Sequence, residues 1–206
     1  MLIEIYKVYT KFTTHIANTI NWRWGRFIMK VYGVSFGRDL IIQGVLDVTI
    51  GKNTNITIGD SCTFKSGRGL NPLSRNIKGS ISVEDSAVLL IGNNCGFSSV
   101  CLWSHESIKI GNYVNVGADT IIMDSDAHSL SYLDRRNNQS DLNHKVNKPI
   151  IIDDNVLIGT RCIILKGVHI GARSIIGSGS VVVKDIPEDC VAAGNPARII
   201  RKINFN

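Results

Sequence analysis

Between Ile152 and Pro187 the chain repeats itself every six residues: IDDNVL, IGTRCI, ILKGVH, IGARSI, IGSGSV, VVKDIP. Each block opens on an aliphatic residue: Ile152, Ile158, Ile164, Ile170, Ile176 and Val182. Gly follows the first residue at Gly159, Gly171 and Gly177, and the fifth place is small or aliphatic (Val156, Cys162, Val168, Ser174, Ser180, Ile186). A period of six is neither the helical 3.6 nor a plain strand alternation, so the chain is a repeat architecture. One block cannot bury its apolar side alone; stacked blocks can. A three-sided β-helix has this period, with one block per side and three per coil, coils stacking at about the inter-strand spacing of 4.8 Å. The first residue of each block then points inward, the fifth lies near the narrow core, and Gly at the second place suits a tight corner.

The repeat extends upstream. Ile110, Val116 and Ile122 start three further blocks in one register, Ile91 and Phe97 another pair, and Ile58-Gly59 and Ile50-Gly51 are further copies. The pattern covers most of residues 41–187. It resembles the hexapeptide-repeat acyltransferases, and that resemblance implies a left-handed parallel β-helix; periodicity does not set the hand, since parallel crossovers are usually right-handed. The expected fold is mainly β. Residues 1–32 form an N-terminal helical segment, residues 33–187 the β-helix with loops at 65–80 and 128–149, and residues 188–206 a turn and a short basic helix over Ala197–Ile203.

Ile5, Val8, Tyr9, Phe12, Ile16 and Ile20 follow the 3.6 period of an amphipathic helix, with Trp22, Arg23, Trp24, Arg26 and Lys30 behind them. Such a helix caps the open first coil, where bare edge groups invite aggregation. A basic, Trp-bearing helix also suits a membrane surface, and the two readings are compatible. The formal charge of +6 favours anionic partners: a phosphorylated cofactor, a nucleotide-linked substrate or a membrane surface. No nucleic-acid module is present, so no nucleic acid is expected.

Cys62, Cys95, Cys101 and Cys162 are read as fifth-place residues, small and buried. An odd cysteine count without a signal peptide suggests a reducing cytoplasm, with peripheral contact at the inner face of the membrane on the second reading of the helix. No run is apolar enough to span a bilayer.

The loop KSGRGLNPLSRNIKGS carries Lys65, Arg68, Arg75 and Lys78. It reads as a solvated loop or as a basic rim over a substrate site. The sharpest anomaly is IMDSDAHSL. Ile122 starts a block, so Asp126 occupies a fifth place, where a carboxylate is costly unless paired or wet. His128 follows where the repeat opens into a second loop. By residues alone this is either a base with its orienting carboxylate or a frayed, solvated coil.

DSDAHSL, then a basic loop, then KPI, is similar to the maltose, galactoside and polysaccharide O-acetyltransferase branch of the family, and AAGNPARIIRKI resembles that branch's closing motif. The resemblance implies acetyl-CoA-dependent O-acetylation with His128 as catalytic base; Asp126, out of pattern in the repeat, is read as the carboxylate beside it. It implies cofactor contacts at Gly117, Thr160, Ser178, Val183, Lys184, Arg198 and Arg201. Acceptor contacts fall on Ser98, which stands where some relatives carry Asn, and on His105 and Glu106; Trp103 stacks on a sugar or packs between subunits. The acceptor expected is a sugar or nucleotide- or lipid-linked sugar of surface polysaccharide synthesis, the alternative a free sugar or another small hydroxylated molecule, and the resemblance implies a homotrimer.

Two rivals share the prism. Gamma-type carbonic anhydrases bind zinc through a His-x4-His pair, a spacing that His15, His105, His128, His144 and His169 never make, so no metal is expected. An inert scaffold is the other; the intact DSDAH and PARIIR segments argue against it.

Overall fold

The structure, a computed structural model, describes residues 3–4, 22–67 and 70–204. The expected helix over Ile5–Ile20 therefore lies outside the described residues, as does Arg68.

Three sheets form the sides of a prism, each taking one strand from every coil. The first holds β1 (Ser35–Phe36), β4 (Asn55–Ile58), β7 (Val88–Ile91), β10 (Ser107–Ile110), β13 (Ile150–Ile152) and β16 (His169–Ile170). The second holds β2 (Ile41–Gly44), β5 (Thr63–Ser66), β8 (Gly96–Ser98), β11 (Asn115–Val116), β14 (Leu157–Ile158), β17 (Ile175–Ile176), β19 (Cys190–Gly194) and β20 (Ala197–Lys202). The third holds β3 (Asp47–Ile50), β6 (Ser80–Val83), β9 (Cys101–Ser104), β12 (Ile121–Met123), β15 (Ile163–Leu165) and β18 (Val181–Val182). Among the described strands all pairings are parallel except β19 with β20.

The register is the one the six-residue period demands. Ile152 lies over Ile170, Ile158 over Ile176 and Ile164 over Val182. The six block-opening residues from Ile152 to Val182 are all buried, at 1% exposure or less. The fifth-place side chains are buried too, and Ser174 and Ser180 remain satisfied there by donating to the Pro187 and Gly177 carbonyls. Ile164→Val removes one buried methylene from this column and should cost about 0.5–1.5 kcal/mol, read as a lower denaturation midpoint at unchanged m-value.

The corners use a position that periodicity alone does not reveal. Asn155, Arg161, Gly167, Arg173 and Gly179 stand at the fourth place of the first five blocks, all with φ between 57° and 77°. The bend is thus made by a left-handed residue at that place. The second-place glycines serve close stacking instead: a Cβ on Gly159 would lie 2.6 Å from the Ser178 nitrogen, and one on Gly117 2.5 Å from the Thr160 nitrogen.

Both ends are closed. Residues 22–31 are helical (α1) and lie over the first coil. Met29 is fully buried, and the Trp22 indole donates to the Leu40 carbonyl at 2.7 Å. At the other end the expected helix over Ala197–Ile203 is absent. That segment is β20, folded back antiparallel on β19. A helix of two turns is marginal in isolation, whereas β19 offers an unpaired edge that a returning strand satisfies at once. Cys101 also departs from expectation. It opens β9 and is half-buried, while Val100 fills the inward corner beside it; a coil of irregular length (Ile81 pairs with Leu102) moves the register there.

Candidate active site

The prism is interrupted between β12 and β13. Ser125 and Asn147 pair antiparallel as a stem, and the excursion between them carries a 3-10 turn (Asp134–Arg136) and the helix α2 (Asn138–His144). Ala127 sits in the left-handed region at φ 62°, its N–H taken by the Ser125 hydroxyl, and this turn sends His128 outward. Asn137 caps α2 by accepting from the Ser140 N–H. Asp134 accepts from the hydroxyls of Ser129 and Ser140, tying the start of the excursion to the helix.

His128 Nδ1 lies 2.6 Å from Asp141 Oδ2, while Asp141 Oδ1 accepts from the Ser129 N–H, also at 2.6 Å. A carboxylate only accepts, so Nδ1 carries the proton and Nε2 presents its lone pair. The His128 side chain is 71% exposed and that of Asp141 13%. The His128 ring and the Ser129 N–H hold the Asp141 carboxyl below the usual carboxylate range. Asp141 therefore stays ionised through neutral and mildly acidic pH, and its hold on the ring is lost only as pH falls through that lowered value.

Asp126 does not carry this contact. Its Oδ1 pairs with Lys166 Nζ at 3.1 Å, and its Oδ2 is buried without a partner. Asp126 lies in the stem of the loop, where the nearby cation takes it; the carboxylate that faces His128 comes from α2. Asp141 stands in the non-periodic insert, which holds only two carboxylates, Asp134 and Asp141, so composition could have shortened the search to two.

A second unanticipated residue is Asp124. It is fully buried at the corner where β9 turns into β10. Its oxygens accept from the N–H groups of His105 (2.6 Å), Glu106 (2.9 Å) and Ser107 (2.7 Å) and from the Ser104 hydroxyl (3.2 Å). His105 and Glu106 thus stand on a clamped corner. The Trp103 ring lies against His105, with centroids 4.7 Å apart, and its Nε1 donates to Glu84.

A groove of about 560 Å³ runs along the outer face of the second sheet. Its floor crosses β5, β8, β11 and β14, and Asn71 and Leu73 from the first loop line it as well. Ser98, Gly117, Thr160 and Ser178 all line it. Gly117, Thr160 and Ser178 form one corner column in successive coils, which the glycine stacking brings close. Lys65 is the one charged side chain among the described lining residues. Two other basic groups of the first loop are engaged among the described residues: Arg75 faces Asp119 and Lys78 faces Asp47, each at 3.6 Å. His128, His105 and Glu106 are not among the groove's lining residues, nor are Val183, Lys184, Arg198 and Arg201. Those last four are exposed, Val183 and Lys184 after β18 and the two arginines on β20.

Burial raises the Cys162 thiol above its ordinary range, and the hydrogen bond with Cys95 lowers that of Cys62. Cys62, Cys95, Cys162 and Cys190 are all buried, so none of these four is presented to a substrate as a nucleophile. Among the described residues no group of three or more His, Cys, Asp or Glu side chains could hold a metal ion, and no helix is long and apolar enough to cross a membrane.

Residues 149–184 match the family model of the bacterial transferase hexapeptide, six repeats. Residues 149–184 thus carry the hexapeptide repeat, the fold is that of a left-handed parallel β-helix, and the relatives that the chain resembles in sequence are acetyltransferases. It is 43% identical over 107 residues to a galactoside O-acetyltransferase of Lactococcus lactis, covering 52% of this chain and 48% of that one. It is 57% identical over 56 residues to the galactoside O-acetyltransferase of Escherichia coli, covering 27% and 28%. The chain thus spans about half or less of the length of these curated relatives. Among solved structures it is similar to the hexapeptide-repeat-containing acetyltransferase VCA0836 of Vibrio cholerae. The TM-score is 0.58 at 25% identity, covering 100% of this chain and 94% of that one. The same Vibrio cholerae protein is also known complexed with acetyl coenzyme A, at TM-score 0.50 and 25% identity, with 89% and 79% covered.

Proposed function

We propose that this protein is an acetyl-CoA-dependent O-acetyltransferase that transfers the acetyl group directly to a sugar hydroxyl, with His128 as general base. The observation that carries this reading is the His128–Asp141 pair, 2.6 Å apart, whose free Nε2 faces outward. Similarity to galactoside O-acetyltransferases and to a structure complexed with acetyl coenzyme A supports the class of reaction. A sugar hydroxyl is a poor nucleophile at neutral pH. Nε2 takes its proton as the oxygen attacks the thioester carbonyl. Asp141 stabilises the imidazolium that forms, and a backbone N–H of a neighbouring coil stabilises the tetrahedral oxyanion. The intermediate collapses with cleavage of the carbon–sulfur bond, and the imidazolium returns its proton to the departing thiolate. No acyl-enzyme is required when both substrates are held together.

The cofactor's pantetheine arm lies along Gly117, Thr160 and Ser178, with Val183, Lys184, Arg198 and Arg201 toward its phosphates. His128 does not line the groove of its own chain, which supports a site completed between copies, in a homotrimer. Ser98 and Lys65 face the acceptor, a sugar unit of a surface polysaccharide or its nucleotide- or lipid-linked precursor. The outer face of α1, with Trp24 and Phe27 exposed beside Arg23 and Lys30, suits peripheral contact with an anionic membrane from the cytoplasmic side.

The test is a transfer assay with acetyl-CoA against a panel of free and nucleotide-linked sugars, alongside the mass of the assembly in solution. Thiol release that no sugar accelerates would remove the reading. Neutralising Lys184 and Arg201 together should raise the KM for acetyl-CoA about three- to tenfold, a modest effect because both side chains are exposed, while kcat at saturation stays as it was. An unchanged KM takes them out of the cofactor site.

A further inference from the structure

Among the described residues, one side-chain contact ties the end of helix α2 to the prism, and the reaction itself does not explain it. Lys145, the residue that ends α2, reaches His105 with its Nζ 3.1 Å from the imidazole Nδ1. An ammonium has donors only, so Nδ1 accepts and His105 is the neutral, Nε2-protonated tautomer. His105 is a firm anchor. Its backbone N–H is clamped by the buried Asp124 and its ring rests on Trp103. Its Nε2 is buried without a partner, which leaves Lys145 as the ring's one polar contact among the described residues.

The other end of the contact leads to the proposed base. The Lys145 N–H donates to the Asp141 carbonyl at 3.1 Å, and Asp141, one turn earlier, holds His128. The stem pairing at Ser125–Asn147 fixes only the base of the excursion. Asp134 and Ser129 hold α2 to the start of the excursion, and Lys145 is what holds its far end to the prism.

We propose that Lys145 is a positioning residue: docked on the neutral imidazole of His105, it fixes α2 over the prism corner and so aims the Asp141–His128 pair. The catalytic half of this statement rests on the function proposed above; the docking half does not. The charged groups facing His105 are Lys145, Glu84 and Asp124. Burial, then Lys145, lower its pKa, outweighing the two carboxylates. His105 therefore stays neutral below the ordinary histidine range, and the contact persists at the pH where an imidazole serves as a base. It is lost only as pH falls through the lowered value.

The experiment uses the full chain with ¹⁵N-labelled histidine, reading the ring nitrogens by NMR at neutral pH. In the wild type His128 shows a protonated Nδ1 and a bare Nε2. In Lys145→Met the two tautomers average, and kcat falls about tenfold with the KM for acetyl-CoA unchanged, a misplacement effect. Lys145→Arg, which keeps a donor, restores both. His105→Phe reproduces the Lys145→Met result, and the double variant is no worse than either single one, as expected of two ends of one contact. A wild-type His128 spectrum in Lys145→Met overturns the proposal, and so do additive losses in the double variant, which would mean that His105 acts on the acceptor directly. The ring spectra do not depend on turnover. Loss of transfer activity as the true function and loss of this contact as the aiming device are thus separable results.

Discussion

Replacing His128 by Ala lowers kcat by about 10²–10⁴-fold, the range that removal of a general base covers. The KM for acetyl-CoA changes little, because the imidazole acts in the transition state and not in cofactor binding. The ascending limb of the pH–rate profile, where an imidazole loses its proton, disappears in this variant. Asp141→Asn is the informative companion. An amide at that place accepts from Nδ1–H through its oxygen but loses the charge that stabilises the imidazolium, so kcat falls by less than in His128→Ala. Asp126→Asn should fall short of both, since Lys166, not His128, is its partner. Steady-state kinetics on the three variants checks the order. Near-normal turnover by His128→Ala on a competent acceptor would show that the base lies elsewhere.

Asp124→Ala unfolds the corner on which His105 and Glu106 stand. Three backbone N–H groups and one hydroxyl converge on this carboxylate, and none of the three N–H groups has an intrinsic alternative in the ladder at a coil corner. Truncation leaves buried donors unmatched, a loss of about 3–5 kcal/mol. For a chain of this size that lowers Tm by about 10 °C, measurable by thermal denaturation followed by circular dichroism. Asp124→Asn also destabilises, because one of its two oxygens becomes an NH₂ group facing the donors. A Tm within a degree or two of wild type for Asp124→Ala would mean that water replaces the carboxylate at no cost.

Asp124 also marks a limit of sequence reading. It stands third in a block, at a place where a polar residue ordinarily faces outward, and nothing local marks it as buried. The carboxylate is made structural by the corner of the preceding coil, which lies beneath it in space but about twenty residues away in sequence. The same holds for Asp141. Its distance from His128 depends on how a non-periodic insert folds, through the Asn137 cap, the Asp134 bonds and the Lys145 anchor. The C-terminal segment failed for a related reason. Ala197–Lys202 has an acceptable helical pattern, but the unpaired edge of β19 exists only once the coils have stacked.

What the amino-acid sequence determined by itself was the repeat and everything that follows from it. The six-residue period states which side chains go inside, and burial of Ile152, Ile158, Ile164, Ile170, Ile176 and Val182 obeys it. It also places His128 at the point where the period breaks. An inside-or-outside pattern is local information, because each coil meets the next with the same offset. Only the tertiary structure decided which carboxylate serves His128, which one clamps the corner, and whether the last segment is helix or strand. Those choices pair groups from different coils or from the insert, and the energy of a buried hydrogen bond depends on the partner that arrives and not on the sequence around either end.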